Sequence, residues 1–299
     1  MGSKKSKLVA RETRAFYLFL SPWIIGMILF TGGPLIASLG LSFTSYDIVK
    51  PPIFIGFSNY KEIFSDKIFI QSLKVTLKYV FGAVPLSVLG ALILATFLNQ
   101  KVYGLSIWRT IYYLPVVTTG VAVSLLWSWV LNPNFGIVNS ILWKLFGIRG
   151  PEWFYSERWA IPSFILMSLW GIGGPMLIYL GGMQGIPTEL YEAAEIDGAS
   201  WWQSYLHITI PLISPVIFYN AVTAMIGTFQ VFIPAYIITQ GGPNYASYFY
   251  VLNLYKHAFH YYHMGYASAL AWILFLIVLL LTILAFRISN YWTYYEIRR

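Results

Sequence analysis

The chain has 299 residues, 58% of them hydrophobic and 10% charged, with a mean hydropathy of +0.66. A soluble domain carries about 25% charged residues, so this composition excludes an ordinary water-soluble fold and places the chain in a bilayer. The absence of Cys excludes disulfides, thiolate metal sites and cysteine nucleophiles. The net charge of +8 does not point to nucleic acid, because Lys and Arg are scattered at the ends of apolar runs, where they anchor a protein to membrane lipid.

In chain order, Lys4, Lys5, Lys7, Arg11 and Arg14 precede an apolar run that begins at Ala15. The run is about twice as long as a signal-peptide core and lacks a small-x-small cleavage site. It is expected to stay as a signal anchor, with the basic arm 1–14 in the cytoplasm. A spanning helix needs about 20 apolar residues. Six stretches qualify: Ala15–Ser42, Tyr79–Leu98, Thr110–Leu131, Ala160–Gly182, Ile208–Ile238 and Met264–Phe286. The expected fold is an all-α membrane protein of six transmembrane helices over 15–288, followed by a cytoplasmic tail, 289–299. Mid-span prolines (Pro22, Pro34, Pro85, Pro115, Pro175, Pro215) and the clusters Gly32-Gly33 and Gly171-Ile-Gly-Gly174 predict kinks and close helix contacts.

Ten of the nineteen Lys and Arg fall on flanks that are inside if the N-terminus is inside: Lys4, Lys5, Lys7, Arg11, Arg14, Lys101, Arg109, Arg287, Arg298 and Arg299. This bias predicts that both termini and the loop 184–211 are cytoplasmic. The outer segments Tyr46–Gln71, Asn132–Trp159 and Thr239–His263 are rich in aromatics, Gly and Pro. Their Trp and Tyr are expected to form interface belts, with stacking of a minority against a ligand as the alternative, since aromatic faces suit sugar rings.

Between the fourth and fifth stretches lies an acidic island, Tyr191-Glu-Ala-Ala-Glu-Ile-Asp-Gly198-Ala-Ser-Trp-Trp, running on to Ile208-Thr-Ile-Pro211. Glu189, Glu192, Glu195 and Asp197 fall within nine positions, and no Lys or Arg lies between Arg158 and Lys256. Pro187 ends the preceding segment. Thr188 is the expected cap of a helix whose positive end holds Glu189 and Glu192. Gly198 breaks that helix, and Ser200 caps a second short helix through His207. Residue chemistry alone leaves two readings of this elbow open: a docking element for a partner, or an ordinary polar loop.

The six stretches contain no acidic, basic or His residue away from their ends, which argues against an ion-coupled carrier. No Gly-Lys dipeptide occurs, so there is no phosphate-binding P-loop. Within the spans, Thr118, Thr119, Asn220, Thr223, Thr228 and Gln230 are polar and are expected to face the protein interior. Asn220, Thr223 and Gln230 fall near one helix face. They serve either as glue between helices or as the path of a neutral, hydroxyl-rich solute. His257, His260 and His263 are spaced by threes, but no carboxylate follows and a metal site is not expected. No nucleophile elbow or zinc-protease motif supports catalysis.

Glu192-Ala193-Ala194, Gly198 and Ile208-x-Ile210-Pro211 resemble the EAA signature of binding-protein-dependent ABC importer permeases. The glycine follows the second alanine by four residues, and nine residues separate it from the isoleucine. Ile210 stands where the family usually has Leu. The lead-in Met183-Gln-Gly-Ile-Pro187, together with Gly241-Gly-Pro243 and Met264-Gly-Tyr-Ala-Ser268, is similar to the carbohydrate-uptake branch of maltose, multiple-sugar and glycerol-3-phosphate type. The resemblance implies a permease subunit that imports a sugar or oligosaccharide across a bacterial or archaeal cell membrane. The island would be the cytoplasmic coupling helix, with Glu189, Glu192, Ala193, Ala194, Asp197 and Gly198 contacting an ATPase. It also implies two copies of that ATP-binding subunit, which hold ATP and Mg so that this chain needs no cofactor. A second homologous permease would form a heterodimer with it, and an extracellular or periplasmic solute-binding protein would deliver cargo. The rival readings are a stand-alone secondary carrier or facilitator for a neutral polar solute, and a non-transporting scaffold.

Overall fold

The computed structural model describes residues 2–100 and 103–294, with side chains from residue 8 onward within those ranges. The readings placed on the side chains of Lys4, Lys5, Lys7, Lys101, Arg298 and Arg299 lie outside the described residues. Among those residues the chain is helical, apart from loops and one antiparallel pairing of β1 (Thr44–Ser45) with β2 (Ile53–Phe54).

Among the described residues, three helices are long and apolar enough to cross a membrane by themselves. The first runs from α1 (Gly2–Met27) through a π turn, Ile28–Gly32, into α2 (Gly33–Ser42). The others are α4 (Lys67–Leu98) and α15 (Met264–Trp292). Three more spans are bent pairs, which brings the number to six if each pair is one span. α5 (Leu105–Tyr113) meets α6 (Gly120–Val130) at 102° through the 3-10 turn Leu114–Val117. α8 (Ala160–Ser168) meets α9 (Gly173–Gln184) at 48°. α11 (Trp201–Ser204) continues through the π segment Tyr205–Thr209 into α12 (Ile210–Leu212), which meets α13 (Ser214–Phe229) at 63°. Short helices lie between the spans: α3 (Ser58–Ser65), α7 (Ile137–Phe146), α10 (Thr188–Ile196) and α14 (Tyr250–Phe259).

The breaks have local causes. Pro115 has no N–H to donate, and Thr118 and Thr119 follow it in extended conformation with ψ of 144°. Thr119 then caps α6 by accepting from the Ala122 N–H at 3.4 Å. Pro175, Pro211 and Pro215 sit beside the other two bends. Pro22 and Pro85, by contrast, lie inside helices that run on without a break.

Several expected boundaries move. The second span does not start at Tyr79: Asp66 caps α4 by accepting from the Ile68 N–H at 2.8 Å, so the helix begins a dozen residues earlier, within the expected outer loop. The third span is bent at Pro115, where a kink was expected. The fifth does not reach Ile238, because its helix stops at Phe229 and the chain turns through Pro234 into a π segment, Ala235–Thr239. The belt expectation also fails for part of the outer segments. Tyr248 and Tyr250 are buried, as are Phe154 and Phe249 near them. Phe154 and Phe249 pack on Phe164 of α8, with ring centroids 4.9 and 5.4 Å apart.

Two compact units are distinguished. Residues 66–254 with 275–299 form the larger, whose core includes two apolar clusters among the described residues. One gathers Tyr79, Phe154, Phe164, Met167 and Phe249; the other gathers Ala91, Ala95, Met176, Tyr179, Leu180, Met183 and Ile213. Lipid is as apolar as these side chains, so contact between spans depends on close packing rather than on escape from water. Gly173 shows how close: a Cβ there would run into the carbonyl of Tyr112 at the end of α5. Residues 1–65 with 255–274 form the smaller unit. In it, the Asn59 amide donates to the Ser42 and Thr44 carbonyls at 2.8 and 3.0 Å, and the Trp272 indole donates to Ser38 at 3.2 Å.

Candidate functional site

The acidic island folds into the expected elbow, built by short-range rules. α10 ends in a Schellman arrangement: Gly198 N–H donates to the Glu195 carbonyl at 3.0 Å, and Ala199 N–H donates to the Ala194 carbonyl at 2.9 Å. This geometry needs a left-handed residue at position 198, where φ is +77° and glycine carries no Cβ penalty. Ser200 then opens α11 with a capping box. Its N–H donates to the Gln203 side chain at 2.7 Å, while the Gln203 N–H donates to the Ser200 hydroxyl at 3.4 Å. Two expectations change in detail. Thr188 is not the cap: Pro187 takes that position with no side-chain bond, and Thr188 is already helical. The second helix does not end at His207 but runs through the π segment to Leu212.

α10 has no buried residue. Glu189, Glu192, Glu195 and Asp197 are all exposed, as is Ala193, and Ala194 is half-buried. Ile196 is exposed to 87% at the tip of the elbow. The helix therefore presents a row of carboxylates and small side chains with no protein of its own over it.

The elbow is tied to the spans by hydroxyl pairs that sequence reasoning did not single out. Tyr191 of α10 is hydrogen-bonded to Thr209 of the fifth span at 2.8 Å, and Tyr205 is bonded to Thr96 of α4 at 2.9 Å. Trp201 stacks on Tyr205 with ring planes 6° apart. Thr209 lies inside the Ile208-x-Ile210 motif and Tyr191 directly precedes Glu192, so position in the motif was the one signal available for them.

The three residues expected to line a solute path part company. Asn220 is buried at 3% exposure and faces Tyr179 of α9; neither the Tyr179 hydroxyl nor the Asn220 Nδ2 is in a well-formed hydrogen bond. Thr223 is exposed, and its hydroxyl donates to its own helix, to the carbonyls of Tyr219 and Asn220 at 2.9 and 3.1 Å. Gln230 is exposed just past the end of α13. Thr223 and Gln230 are thus not buried within this chain: the threonine hydroxyl is satisfied by its own helix, and Gln230 lies just beyond the helix end. Thr118 and Thr119 are likewise exposed, at the break in the third span. α14 stops at Phe259, leaving His260 and His263 beyond it, so the three histidines do not share one helix.

Residues 107–292, which include the whole elbow, match the family described as binding-protein-dependent transport system inner membrane component. The chain belongs to this family. It is a permease subunit, an all-α inner-membrane component of an ABC transporter, as the EAA resemblance implied. It is 43% identical over 297 residues to the probable ABC transporter permease protein YesP of Bacillus subtilis, covering 98% of this chain and 96% of that one. It is 29% identical to the trehalose/maltose transport system permease protein MalF of Thermococcus litoralis, over 96% and 97% of the two chains. Its fold superposes on a chain of a bacterial ABC transporter involved in the import of the acidic polysaccharide alginate. The TM-score is 0.83 and the identity 26%, over 97% of this chain and 100% of that one.

Proposed function

We infer that this permease imports a sugar or oligosaccharide and that the α10–α11 elbow is where a separate ATPase drives it. The observation that carries the reading is the elbow: an exposed acidic helix, rigidly capped at both sides of Gly198 and bonded to two spans. A row of exposed carboxylates complements a basic cleft, and charge complementarity sets the register of such an interface. The hydroxyl pairs then pass a displacement of α10 to the fifth span and to α4. Glu189, Glu192, Ala193, Ala194, Asp197 and Gly198 are the contact set, with ATP and Mg held by two copies of the partner ATPase. Sugar-transport relatives such as the maltose-type permease support the carbohydrate cargo. A neighbouring structure of the alginate transporter in complex with a periplasmic protein supports delivery by a solute-binding protein. A second homologous permease completes the pathway, and both termini face the cytoplasm.

The test is purification of the chain with its ATPase in mild detergent, followed by uptake measurements in proteoliposomes. The ATPase is expected to stay bound to the wild type and to be lost from Glu192→Lys, which reverses one charge of the row. Retention of the ATPase and full uptake by that variant would remove the elbow from the coupling role.

A further inference from the structure

Early in α4, Lys67, Gln71, Lys74 and Lys78 recur at i, i+4, i+7 and i+11, the spacing of one helix face. The helix is 32 residues long. At about 1.5 Å rise per residue it reaches about 48 Å, about 18 Å more than the hydrocarbon core of a bilayer. The excess is about twelve residues, which places the stripe clear of the acyl chains and leaves Tyr79 onward to span them.

Lys78 and Gln71 open into a cavity of about 420 Å³ whose far wall carries Glu157, Arg158 and Asn244. The walls are held in place. Asn244 donates to the Glu157 carboxylate, Gln71 donates to the Tyr245 carbonyl at 3.5 Å, and the Tyr250 N–H donates to the Thr76 hydroxyl of α4 at 2.9 Å. The one carboxylate of the cavity is thus engaged by an amide. Among the described residues no ion pair engages Lys67, Lys74, Lys78 or Arg158. Next along the same two helices, Tyr79 and Phe164 line a more apolar cavity of about 200 Å³ with Met167 and Trp170.

An ordinary outer segment is depleted of Lys and Arg. This chain keeps cations on the face that the proposed orientation puts outside, and brings two of them, Lys78 and Arg158, to a preorganised cavity beside an aromatic one. We propose that this cavity is an entry subsite for an acidic sugar, with a uronate carboxylate held by Lys78 and Arg158 and drawn in along the stripe of α4. Arg158 supplies the planar two-pronged donor suited to a carboxylate, and Lys78 adds a mobile point charge. In the neighbouring cavity, Trp170, exposed to 45%, offers a ring face to the sugar. The inference rests on the carbohydrate reading above and narrows it to carboxylated cargo.

The experiment uses the assembled transporter with its solute-binding protein in proteoliposomes. Uptake and ATPase stimulation are measured for a panel of uronic-acid oligosaccharides and for the same compounds with carboxylates reduced to alcohols. The acidic members are expected to be taken up about tenfold better than their reduced counterparts, with uptake weakening as salt rises. The double variant Lys78→Gln/Arg158→Gln is expected to lower the acidic-to-neutral uptake ratio about tenfold and to flatten the salt dependence. Lys78→Arg/Arg158→Lys, which keeps both charges, should retain most of that ratio and shows that the cavity still folds. Equal uptake of reduced and acidic sugars, or an unchanged ratio in the Gln double variant, overturns the proposal and leaves the carbohydrate reading standing. An equal loss for all sugars in that variant overturns it in favour of a docking surface for the binding protein. Stimulation by no sugar of either panel overturns the proposal as well.

Discussion

Gly198 is the residue on which the elbow turns. Its φ of +77° and the two carbonyls satisfied across it belong to a helix end that a β-branched side chain cannot adopt without strain. Gly198→Val is expected to cost about 1–2 kcal/mol locally. It should cut uptake about tenfold while ATP hydrolysis continues, since the elbow would dock askew rather than dissolve. Uptake and ATPase rates measured together in proteoliposomes check this; a proportional fall in both would mean lost assembly instead of lost coupling. Tyr191 and Thr209 are a second residue-scale prediction. Removing either hydroxyl, as Tyr191→Phe or Thr209→Val, should raise the ATP consumed per sugar imported. The double variant should add little, because one bond worth about 0.5–1.5 kcal/mol is lost once.

At the scale of elements, the fourth span turns beside Gly173, whose backbone lies against the Tyr112 carbonyl of α5. Gly173→Ala should overpack this contact by about 1–3 kcal/mol and lower the Tm of the detergent-solubilised protein, whereas Gly181→Ala, with nothing near its position, should leave it close to wild type. The bent pairs also explain why hydropathy placed the spans roughly but missed their shape. Apolar composition reports how much of a segment avoids water, and the two arms of the 102° break after Pro115 are together apolar enough to read as one span. The start of α4 was missed for the converse reason. Lys67, Lys74 and Lys78 lower its hydropathy, yet Asp66 caps it and the helix simply continues out of the lipid.

For the whole molecule, an engine on a separate subunit means that the chain alone should not concentrate sugar, while the assembled complex should. The lack of native Cys makes orientation directly measurable. Ser200→Cys in the elbow is expected to react with a membrane-impermeant thiol reagent only from the cytoplasmic side, and Ser140→Cys on α7 only from the outer side. Labelling of Ser200→Cys from outside would invert the topology and with it the coupling proposal.

What the amino-acid order determined unaided is whatever short-range physics decides. Mean hydropathy placed the chain in lipid, and Pro187, Gly198 and Ser200 marked the elbow before any contact was known, because caps and left-handed turns are settled within a few residues. The EAA spacing then pointed to the family that the 107–292 match establishes. The tertiary structure alone decided which distant groups meet. It pairs Tyr191 with Thr209 and Thr96 with Tyr205, sets Asn220 facing Tyr179 while leaving Thr223 and Gln230 exposed, and brings Arg158 to the cavity that Lys78 lines. In a bilayer every apolar face is equally comfortable against lipid, so hydrophobicity cannot say which helices touch. Close packing at small residues and the need to satisfy buried polar groups make that choice, and both are properties of the folded whole.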